Sequence, residues 1–227
     1  MWLLAIETAT DAAGVALLRA GEPIAARRLA PGQGAETLLP ALLSLLAEHG
    51  IALAALDAFA VSVGPGSFTG LRVGVSTVKG LAFGAGRCVA AVPTLAALAA
   101  TRPPAAGRIA AVLDARRGEV YAAAHDGDPL LPPLWGPSVL RPEALAEQLA
   151  PGWTVVGDGV PIATAALRAR FGADIELVGP PAGLADAAAV GRLGARLLAA
   201  GRGITAAELV PAYGRRAEAE ERRLRGA

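Results

Sequence analysis

The chain of 227 residues is 54% apolar but only 4% aromatic, carries 55 alanines, and balances 21 Lys and Arg against 20 Asp and Glu. That composition excludes an intrinsically disordered chain, and the lack of a like-charge block excludes nucleic-acid binding by charge alone. The core is one of Leu, Val and Ala, in one large domain or two small ones.

The longest weakly polar stretches, such as 58–71 and 88–101, run to 14 residues and are interrupted by Gly or Pro, too short for a membrane-spanning helix. The opening MWLLAIETAT lacks the basic leader and small-residue cleavage site of a signal peptide. The single cysteine, Cys88, sits in an apolar run and reads as a buried, inert thiol. A cytoplasmic protein without membrane contact is expected.

In chain order, Trp2 to Ile6, Gly14 to Leu18 and Ile24 to Leu29 read as three strands of an antiparallel meander, with turns at Thr10-Asp11 and Gly21-Glu22-Pro23. Glu36 to Glu48 reads as a helix. Its leucines 38, 39, 42, 43, 45 and 46 cover an arc wider than one core-facing stripe. Pro40 is expected in the first turn and Gly50 as the C-cap. Ala58 to Val63 is a buried strand running into GPGSFTG (Gly64 to Gly70), then a helix to about Phe83. A strand at Cys88 to Val92 and a helix to Ala100 lead to a hinge-like TRPPAAG at 101–107.

After the hinge the pattern restarts. Strands are expected at Ile109 to Leu113 and Val120 to Ala124, and Pro129 to Pro137 reads as irregular, its Trp135 packed in the core, with an exposed contact as the lesser alternative. Helices follow at Pro142 to Leu149, Pro161 to Arg170 and Leu184 to Ala200, with strands at Trp153 to Val156 and Ile175 to Val178. Two α/β lobes of similar plan are expected, 1–105 and 106–227.

His49 and His125 are the only histidines and stand alone, so neither a protein-built metal site nor a Ser-His-Asp centre is expected. The GPGSFTG turn matches neither phosphate-loop template. Its backbone N–H groups with Ser67 and Thr69 suit either an anion contact or an ordinary N-cap. The helix after it carries Gly70, Gly74, Gly80 and Gly84, each interior glycine costing about 1 kcal/mol relative to Ala. Gly70, Gly74, Thr77, Leu81 and Gly84 share a face, which suits either close packing on the protein's own sheet or docking of a partner helix. Lys79, the only lysine, falls on the opposite side of that helix from Thr77 and Leu81 and reads as a snorkelling surface residue. The last 13 residues, RRAEAEERRLRGA, read as a solvated helix, with RNA or partner contact as the lesser alternative.

LAIETAT, TLLPALLSLL, AVSVGPGSFTGLRVGVSTVKGLAFG, PTLAALA and DARRGEVYAA, in this order over residues 2–125, resemble the TsaB family of bacterial tRNA threonylcarbamoyladenosine biosynthesis proteins (YeaZ-type, Gcp-like). VVGDG (155–159) and P-x-Y-x-R at Pro211, Tyr213 and Arg215 extend the likeness. The resemblance implies the two-lobed α/β fold of actin, Hsp70 and sugar kinases, each lobe a mixed sheet flanked by helices. It implies a non-catalytic subunit that docks a catalytic TsaD-like homologue and acts with a TsaE-like ATPase. The complex forms N6-threonylcarbamoyladenosine at position 37 of ANN-reading tRNAs. By the same resemblance the isolated subunit forms homodimers, meets tRNA only through the complex, and binds no cofactor or metal alone; nucleotide and metal belong to partner subunits.

The implied interface comprises Leu38, Leu39, Leu42, Leu45, Leu46, Phe68, Gly70, Leu71, Gly74, Thr77 and Leu81, with Gly66, Ser67 and Thr69 as an anion or nucleotide contact. Departures from the family pattern fall at Gly34, near where relatives carry His, and at Gly214 within Tyr213-Gly214-Arg215. The turn that carries D-x-G in the fold reads Glu7-Thr8-Ala9 here, and the Ala9 methyl crowds a phosphate there. The alternative reading is a small-molecule ATPase or kinase of the same fold, for which Asp114 is the placed metal-holding candidate. A peptidase is a further alternative, without a visible nucleophile–base pair.

Overall fold

A computed structural model describes residues 1–30, 34–103 and 107–214, apart from the side chains of Gly34 and Ala35. The tail 215–227 with Arg215, part of the expected hinge (104–106), and any side-chain role for Gly34 lie outside the described residues.

The first sheet contains β1 (Trp2–Glu7), β2 (Gly14–Arg19), β3 (Glu22–Arg28), β4 (Ala58–Gly64) and β5 (Cys88–Pro93), in the order β3-β2-β1-β4-β5. β1, β2 and β3 pair antiparallel, and β4 joins β1 and β5 in parallel. The second sheet contains β6 (Arg108–Asp114), β7 (Val120–Asp126), β8 (Trp135–Leu140), β9 (Thr154–Val156) and β10 (Glu176–Val178), in the order β10-β9-β6-β7-β8. Read from its β8 end, this is the same third-second-first-fourth-fifth order with the same parallel and antiparallel joins. The repeated plan gives the two α/β lobes that the sequence reading expected, each a mixed sheet flanked by helices. β8 is a correction to the sequence reading: the prolines hid it, yet Pro137 is tolerated because β8 is an edge strand.

Strand alternation divides the core into three. Leu4, Ile6, Leu17, Phe59 and Val61 face outward under α1 (Gly34–Glu48) and α2 (Phe68–Ala85). Leu3, Ala5, Leu18, Ala60 and Ala90 face inward against α3 (Thr94–Ala99) and α6 (Ala187–Ala199), which also meet Ile109, Ala111 and Ala123 of the second sheet. Ala110, Val112 and Ala122 face outward under α4 (Pro142–Gln148) and α5 (Val160–Phe171). The order is therefore helix, sheet, helix, sheet, helix. The middle layer is built from alanines and from Gly194, where a Cβ would lie 2.5 Å from the Ala60 methyl. Part of the alanine content thus lets two helices fit between two sheets.

The described chain returns from the second lobe to the first sheet. After α6, Ile204 bridges Val89, and the Ala212 N–H donates to the Val63 carbonyl at 2.6 Å. Residues 187–214 therefore pack on the first sheet. Lys79 is not a free surface residue: its Nζ donates to the carbonyls of Ala207 (3.3 Å) and Leu209 (3.1 Å). Pro40 is also corrected. α1 begins at Gly34, so Pro40 lies inside the helix, on its exposed side. Cys88 is exposed, because it starts edge strand β5 directly after the α2 turn. Among the described residues no helix is long and apolar enough to cross a membrane.

Candidate functional site

The GPGSFTG turn is held from three sides. The Thr94 hydroxyl, at the start of α3, accepts from the Gly64 N–H at 3.1 Å, which explains the PTL motif. A side chain at Gly64, whose φ is +117°, would run into the Ala212 carbonyl. Ser67 caps α2 by accepting from the Gly70 N–H at 3.2 Å, while its own N–H donates to the Ala9 carbonyl at 2.7 Å. The turn after β1 is therefore closed by a backbone bond onto Ser67, and the Ala9 methyl is buried against Gly66. Of the expected anion contacts, Gly66 and Ser67 line the cleft between the lobes and Thr69 points outward.

That cleft, about 480 Å³, brings Asp11, Asp114, Arg116 and Asp158 together. The sequence reading placed only Asp114. The VVGDG segment supplies Asp158, whose carboxylate accepts from the Asp114 N–H at 2.9 Å. Burial pushes the Asp158 carboxyl above its ordinary range; the charges of Asp114 and Asp11 add to this, while the Asp114 N–H opposes it. Arg116 pairs with Asp114 at 3.2 Å. Among the described residues no group of three or more His, Cys, Asp or Glu is arranged to hold a metal ion.

Glu7, at the end of β1, was read from sequence only as a lengthened phosphate-turn acid. It is fully buried. Its Oε1 accepts from the Thr10 N–H (2.8 Å) and hydroxyl (3.1 Å), so it caps its own loop. Burial raises its pKa to about 7 against the lowering pull of bonds from Ser62, Thr10 and Ala9.

α1 and α2 lie side by side over one face of the first sheet, and their leucines divide. Leu38, Leu42, Leu45, Leu46 and Leu71 are buried in the protein's own core, which corrects their expected place in a docking face. Leu39 (45% exposed) and Leu43 (48%) form the outward part of the arc. The glycines divide too. A Cβ at Gly70 would strike the Thr8 carbonyl and one at Gly74 the Thr8 hydroxyl, so both serve close packing inside the chain. Around Gly80 and Gly84 there is open space. With Phe83, at 80% the most exposed large apolar side chain among the described residues, they occupy the outward face of α2. Thr77 and Leu81 are half-buried at its rim. Phe68 is partly exposed but engaged, its ring 4.9 Å from that of Tyr213 and under the Arg72 guanidinium. The sequence missed Phe83 and Gly80, although their i, i+3, i+4 spacing with Gly84 was visible.

A family model described as "TsaD: tRNA N6-adenosine threonylcarbamoyltransferase" matches residues 28–149. The tRNA threonylcarbamoyladenosine biosynthesis protein TsaB of Escherichia coli K12 is 39% identical over 168 residues, 70% of this chain and 72% of that protein. The Bacillus subtilis protein of the same name is 37% identical over 126 residues, 55% of each chain. The solved structure of YeaZ from Pseudomonas aeruginosa superposes with a TM-score of 0.78 at 33% identity, covering 93% of this chain and all of that one. Sequence identity along 72% of the E. coli protein, together with a fold shared over 93% of this chain, places this chain in the TsaB (YeaZ) family.

Proposed function

We propose that the chain takes part in forming threonylcarbamoyladenosine in tRNA, as its family membership implies, and does so as a non-catalytic subunit that docks and activates a TsaD-like catalytic homologue. One observation carries the docking role: the outward faces of α1 and α2 present Leu39, Leu43 and Phe83, and α2 adds two glycines whose side-chain positions meet nothing among the described residues. Burying such side chains contributes about 1.5–3 kcal/mol each. Glycines at 80 and 84 let a second helix approach the α2 backbone at a cost in helix propensity that the isolated chain has no use for. The backbone closure at Ala9 supports the non-catalytic part, since it occupies the turn that would receive a phosphate.

The test is copurification of the coexpressed catalytic homologue with Gly80→Arg and with Phe83→Asp. Both variants are expected to fold and to lose the partner; retention of the partner by both would remove the assigned surface. Depletion of the protein followed by nucleoside analysis of tRNA tests the broader role separately, and normal threonylcarbamoyladenosine would overturn it. The ATPase alternative draws on the carboxylates of Asp11, Asp114 and Asp158 in the cleft. Calorimetric titration of the isolated protein with ATP and Mg²⁺ is expected to show no saturable heat.

A further inference from the structure

A second and more apolar cavity, about 720 Å³, opens at the edge of the middle helical layer. α3, α6, β7, the 129–133 segment and the returning strap at 212–214 enclose it. Strand alternation puts Tyr121, Ala123 and His125 of β7 on one face, and all three line this cavity. His125 is only 3% exposed, and neither ring nitrogen has a hydrogen-bond partner among the described residues. The strand that carries it is otherwise apolar toward the core. A buried polar group without a partner is costly, and the residue that carries it lines a space of the size that holds a small ligand.

We infer that this cavity is a binding site for a small planar aromatic molecule that presents one hydrogen-bonding group to His125. The walls favour that class. Proline rings at 93, 129, 132 and 133 and the Tyr121 ring give flat apolar faces, and aromatic rings pack well on such faces. An ion buried against them would pay a large desolvation cost. Burial lowers the His125 pKa, so the imidazole is neutral at pH 7 and offers one N–H donor and one acceptor nitrogen. The ligand therefore needs a single polar edge. Arg202, at the rim, is held by its bond to the Leu130 carbonyl at 2.9 Å.

The test uses two probes of equal shape, 2-naphthol and naphthalene, titrated into the full chain with ¹⁵N-labelled histidine. Saturable one-to-one binding is expected, with 2-naphthol about tenfold tighter, the worth of one hydrogen bond. The His125 ring nitrogens shift on 2-naphthol binding, while those of His49, already hydrogen-bonded to the Leu45 carbonyl at 2.9 Å, do not. His125→Phe keeps the ring and is expected to bind both probes equally. No saturable binding up to the solubility limit, unmoved His125 resonances, or discrimination that survives in His125→Phe would each overturn the assignment. Should the variant fail to fold, the ring shifts of the wild-type protein decide alone.

Discussion

Gly74 of α2 lies so close to Thr8 that a methyl group there would collide with the threonine hydroxyl. Six residues further along the same helix, Gly80 has open space. The two positions therefore respond oppositely to one substitution. Gly74→Ala forces α2 off the β1–β2 loop and is expected to cost about 1–3 kcal/mol. Gly80→Ala is expected to stabilise the isolated chain by about 1 kcal/mol through helix propensity alone. Urea denaturation of both variants measures this; stabilisation at both positions would show that Gly74 does not need its contact.

Glu7 makes stability depend on pH in an unusual direction. Its folded pKa of about 7 lies above the ordinary 4.5, so the folded state prefers the protonated acid. That preference is fully present below pH 4.5 and is lost as pH rises to 7. Between pH 5 and 7.5 the loss is on the order of 2 kcal/mol. Glu7→Gln cannot titrate and should abolish this part of the slope. Burial lowers the His125 pKa and so acts the other way, favouring the folded state as pH rises. The informative quantity is therefore the difference between wild type and Glu7→Gln at the two pH values.

Lys79 pins the strap that returns from α6, through the carbonyls of Ala207 and Leu209. Lys79→Met keeps the apolar stem and removes the donor. Hydrogen exchange at the amides of Ala212 and Ile204, which bond to Val63 and Val89, is expected to speed up by about tenfold, the effect of losing one charge-assisted bond. Unchanged protection would mean that apolar contacts alone hold the strap.

Cys88 starts β5 at the surface. It is expected to react with a disulfide reagent such as DTNB in the native protein, at one thiol per chain and without denaturant. Reaction only after unfolding would place the thiol inside instead.

Most elements were legible because their apolar signal is strong: the near-continuous apolar runs of β1, β4 and β6 and the wide leucine arc of α1 left little choice. β8 was not, since prolines and Gly136 broke its period and only the pairing with β7 rescues it. At the candidate site, the sequence could show that α2 spends glycines at a cost, but not on whom. Gly70 and Gly74 answer to Thr8, sixty or more residues earlier in the chain, and a contact across that distance leaves no mark in local spacing. The same holds for Asp158, which reaches the cleft only because β9 pairs beside β6. Cys88 misled for the reverse reason: an apolar neighbourhood in sequence says nothing about whether a residue stands at the end of an edge strand.

Of the two helices sandwiched between the sheets, α6 also has a bearing on how the molecule could be taken apart. A fragment ending near residue 103 would leave Leu3, Ala5, Leu18, Ala60 and Ala90 without α6, a bare apolar sheet face prone to aggregate. The complementary fragment would carry α6 with its amphipathic face uncovered. Neither piece is self-sufficient, yet the break falls outside every strand and helix. Coexpressed as two polypeptides, they should find each other and rebuild the native structure, with residues 187–214 as the part that the first fragment captures.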